Sequence, residues 1–252
     1  MSELRIRKKS GRSKVATTVG KIEEALRCAA NPAQAAILRR FFKTGPGQYG
    51  EGDIFIGLKV PVIRGVVKQF GYVPPREALT LVRSPIHEMR LAGLLLWVKA
   101  FEEGDERTRR LVFRLYLQNT RHINNWDLVD LSAPNIVGAF LKPEDDPSAA
   151  LLQELAGSGW LWDRRIAVVA TFAFIRQGRF EPTLALCRRL LKDSHDLMHK
   201  ACGWMLREVG KRDRGTLRAF LDVHAGQMPR TMLRYALEHF GPAERAKYMR
   251  RG

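Results

Sequence analysis

A short triad recurs along this chain at a spacing that limits its architecture. A basic residue, any residue and a small residue follow one another at Arg90-Leu91-Ala92, Arg165-Ile166-Ala167, Lys200-Ala201-Cys202 and Arg234-Tyr235-Ala236. The basic positions lie 75, 35 and 34 residues apart. The first interval reads as two periods, with the missing copy near residue 127, where Asp127 stands in place of the base. A period in the middle to high thirties suits helix pairs that stack on their neighbours, close to HEAT or armadillo spacing. An irregular helical bundle is the alternative architecture.

Local patterns agree with helices. "VGKIEEALRCAANP" and "PAQAAILRRFFKTG" carry apolar residues three and four apart, with Pro and Gly at their ends. A Gly-rich loop, residues 44–61, precedes "PVIRGVVKQF", where Pro61 suits a first helical turn. From Arg76 onward helical patterns continue, broken by "EEGDE", "KPEDDPS", "RQGRFEP", "VHAGQMP" and "FGPAE". Only "IFIGLKV" hints at a strand, and it is short and mixed. The expectation is an all-α helical-repeat superhelix over residues 19–252, preceded by a basic N-terminal arm at 1–18.

Charge narrows the partners. Lys and Arg number 43 against 26 Asp and Glu, a net +17. Such an excess is the electrostatic footprint of nucleic-acid binding, with an anionic membrane surface as the rival. The longest apolar runs, such as "IAVVATFAFI", fall short of the ~20 residues of a membrane span. The N-terminus has basic residues but no apolar h-region, so a secretory signal is not expected, and a cleaved transit peptide is the weaker alternative. Cys28, Cys187 and Cys202 are odd in number and widely spaced, which suits a reducing compartment and indicates neither disulfides nor a cysteine-rich zinc site. The expected location is the cytoplasm, at the nucleoid.

One stretch runs against the charge. "NNWDLVDLSAP" (124–134) places two carboxylates and an indole mid-chain. Trp126, Arg165 and Trp204 are spaced by 39 and 39, so successive repeats would present them on one surface. Asp130 lies four residues after Trp126 and shares its helix face. Asp127 falls to one side, suited to the helix surface or a cap, with a second catalytic carboxylate as the weaker alternative. Each tryptophan alone would ordinarily be core, and a lone arginine a solvated partner of some acid. The combination of indole, carboxylate, guanidinium and indole on a basic repeat is what points to a site.

These residues resemble a known family. "WDLVD…AP…G" (126–138), "W.DRRIAV" (162–168), "KACGWMLREVGK" (200–211) and the loop at 43–61 are similar to the AlkD-type DNA alkylation-repair glycosylases, which are HEAT-like-repeat proteins. The resemblance is spread over about residues 20–245. It implies excision of N3- or N7-alkylated purines from duplex DNA, without the base flipping usual in glycosylases. It also implies a lesion site of Trp126, Asp130, Arg165 and Trp204. Asp130 would stabilise the developing sugar cation and orient or activate water. Trp126 and Trp204 would shield that cation, and Arg165 would grip the adjacent phosphate. Arg164, Lys200, Arg207, Lys59 and Phe42 are candidate DNA contacts. Some members add an aromatic from an N-terminal helix. Phe41 or Phe42 lies in that region, with no hydroxyl.

Two other motifs weigh little. "GPGQYG" matches a dinucleotide-binding glycine pattern but follows a helix and contains Pro46. "HDLMH" (His195–His199) has zinc-like spacing but shows no third ligand, and next to Lys200 the pair reads as a solvated or phosphate-facing edge. No metal and no cofactor are expected, and a monomer is the default for a repeat protein gripping DNA. A non-catalytic nucleic-acid-binding scaffold and an adaptor for an acidic protein are the competing functions.

Overall fold

A computed structural model describes residues 17–142 and 145–250. The arm expected at 1–18 lies almost entirely outside them. Among the described residues the chain is all-helical, with fifteen α-helices. In chain order they are α1 (Thr18–Cys28), α2 (Pro32–Phe41), α3 (Val60–Gln69), α4 (Pro75–Val82) and α5 (His87–Glu103). Then follow α6 (Glu106–Leu117), α7 (Trp126–Ala133), α8 (Asp146–Ala156), α9 (Leu161–Ala170) and α10 (Phe172–Arg176). The series closes with α11 (Glu181–Arg189), α12 (Asp196–Arg212), α13 (Arg214–His224), α14 (Arg230–Ala236) and α15 (Pro242–Met249).

Local chemistry sets many of the starts. Thr17, Asn31, Asp105 and Asp213 each accept a backbone N–H from the first turn of α1, α2, α6 and α13, at 3.1, 3.0, 2.8 and 3.0 Å. Pro32, Pro61, Pro75 and Pro242 occupy first turns, where their missing N–H costs nothing.

Helices α5, α7, α9, α12 and α14 pack side by side in chain order as one layer. Helices α4 and α6 pack behind α5, α8 and α11 against α9, and α11 and α13 against α12. One apolar core runs between the layers from Val19 to Tyr248. Central α5 is covered on every side; even His87, Glu88 and Arg90 are buried.

The inner helices after α5 begin at residues 126, 161, 196 and 230, intervals of 35, 35 and 34. That corrects the register inferred from the triads. The fifth residue of each helix is Asp130, Arg165, Lys200 and Arg234, so the missing triad is Asp130-Leu131-Ser132 and the inverted charge is Asp130, not Asp127. The interval from Arg90 is 40 because long α5 and α6 and a 3-10 turn at Thr120–His122 lengthen that repeat. The stretch "IFIGLKV" makes only an isolated bridge from Ile54 to Ile86. No strand forms because the Glu88 carboxylate takes the N–H groups of Ile56, Gly57 and Leu58, at 3.1, 2.7 and 3.1 Å.

Candidate active site

The cleft forms where the N-terminal ends of α7 and α12 meet the loop after α2. Asn125 starts α7 by accepting the Trp126 N–H at 2.8 Å. Phe42 stacks behind the Trp126 indole with ring centroids 5.2 Å apart, and Phe55 stacks on Phe42 at 5.0 Å. Phe41 meets the same indole edge-on at 5.9 Å. The indole is therefore fixed from behind by rings and open in front. Offset and edge-on ring pairs of this kind add about 0.5–1.5 kcal/mol beyond area burial.

One turn further along α7, both oxygens of Asp130 accept from Arg165 on α9: Nε to Oδ1 at 2.9 Å and Nη2 to Oδ2 at 2.8 Å. The third bond of the guanidinium, from Nη1, goes to the Leu197 carbonyl at the start of α12 at 2.7 Å. Arg165 thus ties three inner helices at one point, and its side chain is 6% exposed against 20% for Asp130. Burial pushes the Asp130 carboxyl above the ordinary range, and Arg165 draws it part of the way back. Three of the five Arg165 N–H donors are spent within the protein, which leaves one on each Nη for a phosphate.

The cleft, about 680 Å³, is lined by Trp126, Asp130, Arg165 and Trp204 together with Lys200 and Arg207, so these six expected residues are brought together. Trp204 leans on Phe172 at 5.9 Å. Lys200 pairs with Asp196 at 2.7 Å, and Arg207 pairs with Glu238. The 39-residue spacing of Trp126, Arg165 and Trp204 is one repeat plus one helical turn, so they stand first, fifth and ninth in their helices and form a diagonal row.

Three expected contacts fall elsewhere. Phe42 is buried under Trp126, and its neighbour Phe41 is the one exposed to the cleft. Arg164 turns away from α12's cleft side to Asp193, at 2.7 Å, and to the Ser158 carbonyl. Lys59 is exposed at the start of α3 and borders an adjoining apolar hollow, not the cleft. Asp127 is neither a surface residue nor mainly a cap. Its Oδ2 meets His87 Nε2 at 2.8 Å, His87 Nδ1 meets Asp53 Oδ2 at 2.8 Å, and Arg90 Nη2 meets Asp53 Oδ1 at 2.6 Å. Burial alone would lower the His87 pKa, but Asp127 and Asp53 outweigh it and raise the value to about 9.

Lys43, Tyr49 and Tyr235 also line the cleft and were not singled out from the sequence as site residues, whereas His195, which lines it too, is read from the sequence only as part of a solvated or phosphate-facing edge. Tyr49 is the notable one: a phenol enters from the Gly-rich loop, donating to the Phe41 carbonyl at 3.5 Å, where the N-terminal helix offers only phenyl rings. Gly50 lets the loop fold tightly, since a Cβ there would lie 2.5 Å from the Phe42 carbonyl oxygen. The two histidines of "HDLMH" serve α12: His195 Nδ1 accepts the Leu197 N–H at 3.1 Å, and His199 Nε2 bonds the Asp193 carbonyl.

Fold and cleft define a class: a two-layered helical-repeat protein whose inner row of cations is interrupted by one carboxylate between two indoles. Within that class, the chain belongs to the DNA alkylation repair enzyme family, whose model matches residues 22–240. Among solved structures it is similar to a predicted DNA alkylation repair enzyme from Enterococcus faecalis, with a TM-score of 0.62 at 15% identity over 84% of this chain and 97% of that one. At that identity the likeness speaks for the fold. No curated protein matches the chain significantly. Among the described residues no helix is long and apolar enough to cross a membrane.

Proposed function

We propose that this protein is a DNA N-glycosylase that removes cationic N3- or N7-alkylated purines from duplex DNA, acting as a monomer at the bacterial nucleoid. The observation that carries this reading is Asp130: a partly exposed carboxylate, held by Arg165 and flanked by Trp126 and Trp204, in a mainly cationic cleft whose other acid, Asp196, is paired with Lys200.

Alkylation at a ring nitrogen makes the base cationic and weakens its bond to the sugar. As the C1′–N bond breaks, its electron pair goes to the base, which leaves neutral, and the sugar passes through an oxocarbenium-like state. A carboxylate facing that cation stabilises it where charge develops. The lone pairs of Asp130 not used by Arg165 are available for this and for taking a proton from water as its oxygen bonds to C1′. The raised carboxyl pKa favours that acceptance. Arg165 fixes the carboxylate's orientation without protonating it. The two indoles add cation–π stabilisation of ~1–2 kcal/mol each when water is excluded. Lys200 and Arg207 hold the backbone without reading sequence. The cleft is open on one side, which suits attack on a base that stays stacked.

A scaffold that only binds DNA gains nothing from a carboxylate facing the strand, because like charges repel. The test is release of free 7-methylguanine and 3-methyladenine from methylated duplex DNA by wild type and by Asp130→Asn. Release by wild type alone is expected. Tight DNA binding with no release by either would establish the scaffold.

A further inference from the structure

With three of the five Arg165 donors committed to Asp130 and Leu197, the phosphate beside the lesion gains from further donors, and two residues of the cleft have them to spare. Lys43 lies just past Phe42, the residue that caps α2, and lines the cleft; no acid pairs with it among the described residues. It is also the one non-glycine among them with a positive φ, 53°. The Gly50 N–H closes the turn onto its carbonyl at 3.1 Å. A left-handed residue just past a helix end is ordinarily Gly or Asn, because a Cβ is strained there. Strain of this kind persists where surrounding structure enforces it, and it gathers at functional positions.

His195 enters from the other side, at the start of α12. Its Nδ1 accepts the Leu197 N–H, so the proton of the neutral ring sits on Nε2. Burial, and after it Arg164 and His199 against the pull of Asp193 and Asp196, keeps the ring's pKa below its ordinary value, so it is neutral at physiological pH. Nε2–H has no protein partner among the described residues, and the ring lines the cleft. It is a donor with its tautomer fixed and no net charge.

We propose that Lys43 and His195 form the phosphodiester subsite of this cleft, gripping the strand on either side of Asp130. This rests on the reading of the protein as a duplex-DNA enzyme. The chemistry divides the work: the ammonium supplies attraction and releases a counterion, whereas the neutral imidazole supplies a directed hydrogen bond and fixes register.

The division makes the test specific. Lys43→Gly removes the ammonium and relieves the left-handed strain. The expected result is a melting temperature unchanged or raised, with duplex affinity down about threefold to tenfold and the salt slope of log K shallower by about one. His195→Asn keeps an oxygen that can cap α12 but deletes the Nε2 donor. Affinity should fall about threefold to tenfold with the salt slope unchanged. His195→Gln, with an amide near the Nε2 position but a poor cap, should recover affinity while lowering stability. Binding is measured on undamaged and methylated duplexes, so the subsite is judged apart from excision. Wild-type affinity in Lys43→Gly and His195→Asn would overturn the subsite and leave the glycosylase reading standing. A Lys43→Gly protein that loses affinity only in step with stability would overturn it equally.

Discussion

Two carboxylates three residues apart on α7 do opposite work. Asp127 points back into the protein and meets His87, whose charge can be lost; Asp130 points into the cleft and meets Arg165, whose charge cannot. Behind the helix lies a buried, charge-balanced quartet of Asp53, His87, Arg90 and Asp127 that fastens the Gly-rich loop to α5 and α7. In front lies Asp130 with spare lone pairs, while the cleft's other acid, Asp196, is taken up by Lys200. The difference teaches that a buried acid next to a titratable partner belongs to folding, whereas one locked to a permanent cation and left partly open is free for chemistry.

The strongest way to break this comparison is Arg165→Ala. It leaves Asp130 as a largely buried, unpaired charge and should lower unfolding free energy by about 3–5 kcal/mol. Chemical denaturation would measure it, and the double variant Arg165→Ala with Asp130→Ala should recover part of the loss. A single-variant effect below about 1 kcal/mol would mean the pair is not the junction of α7, α9 and α12.

Next in size is pH. His87 in the folded protein has its pKa raised to about 9 from an ordinary 6.5. A raised value means the stabilisation is complete below pH ~6.5 and is lost as pH rises through about 9. The decline should be on the order of 3 kcal/mol. Asp127→Asn weakens the pull on His87 and should flatten that decline. A stability profile of wild type that stays flat from pH 6.5 to 9 would contradict a protonated His87.

A smaller effect is expected from Phe42→Leu. Losing the ring behind Trp126 should cost about 1–2 kcal/mol of stability and loosen the indole. Trp126 fluorescence in a variant with the other tryptophans replaced would show greater mobility. An unmoved signal would mean that the stack does not position the indole.

Much of this was legible in the sequence, and the failures are instructive. Helices, their proline and glycine boundaries and a repeat in the thirties follow from local patterning, which the fold keeps. The four residues at the heart of the cleft were legible mainly through the family resemblance; the 39-residue spacing pointed the same way although it is one 35-residue repeat plus a helical turn. The choice of Arg165 over Arg164 for the centre of the site also followed from its place in the triad. Phe41 against Phe42 was not legible, because it depends on where α2 ends and on the left-handed turn at Lys43. Halving a 75-residue interval misplaced the inverted charge because one repeat is five residues longer than its neighbours. The quartet links residues 34, 37 and 40 apart in sequence, with no periodic signal to announce it.

The most direct test sets the two carboxylates side by side: single-turnover release of 7-methylguanine from a duplex by Asp127→Asn and Asp130→Asn, each at a pH and temperature where it is folded. The rate constant is expected to stay near wild type in Asp127→Asn and to fall by about 10²–10³-fold in Asp130→Asn, with duplex affinity retained. Equal losses in the two variants, or an unchanged rate in Asp130→Asn, would show that Asp130 has no chemical role of its own.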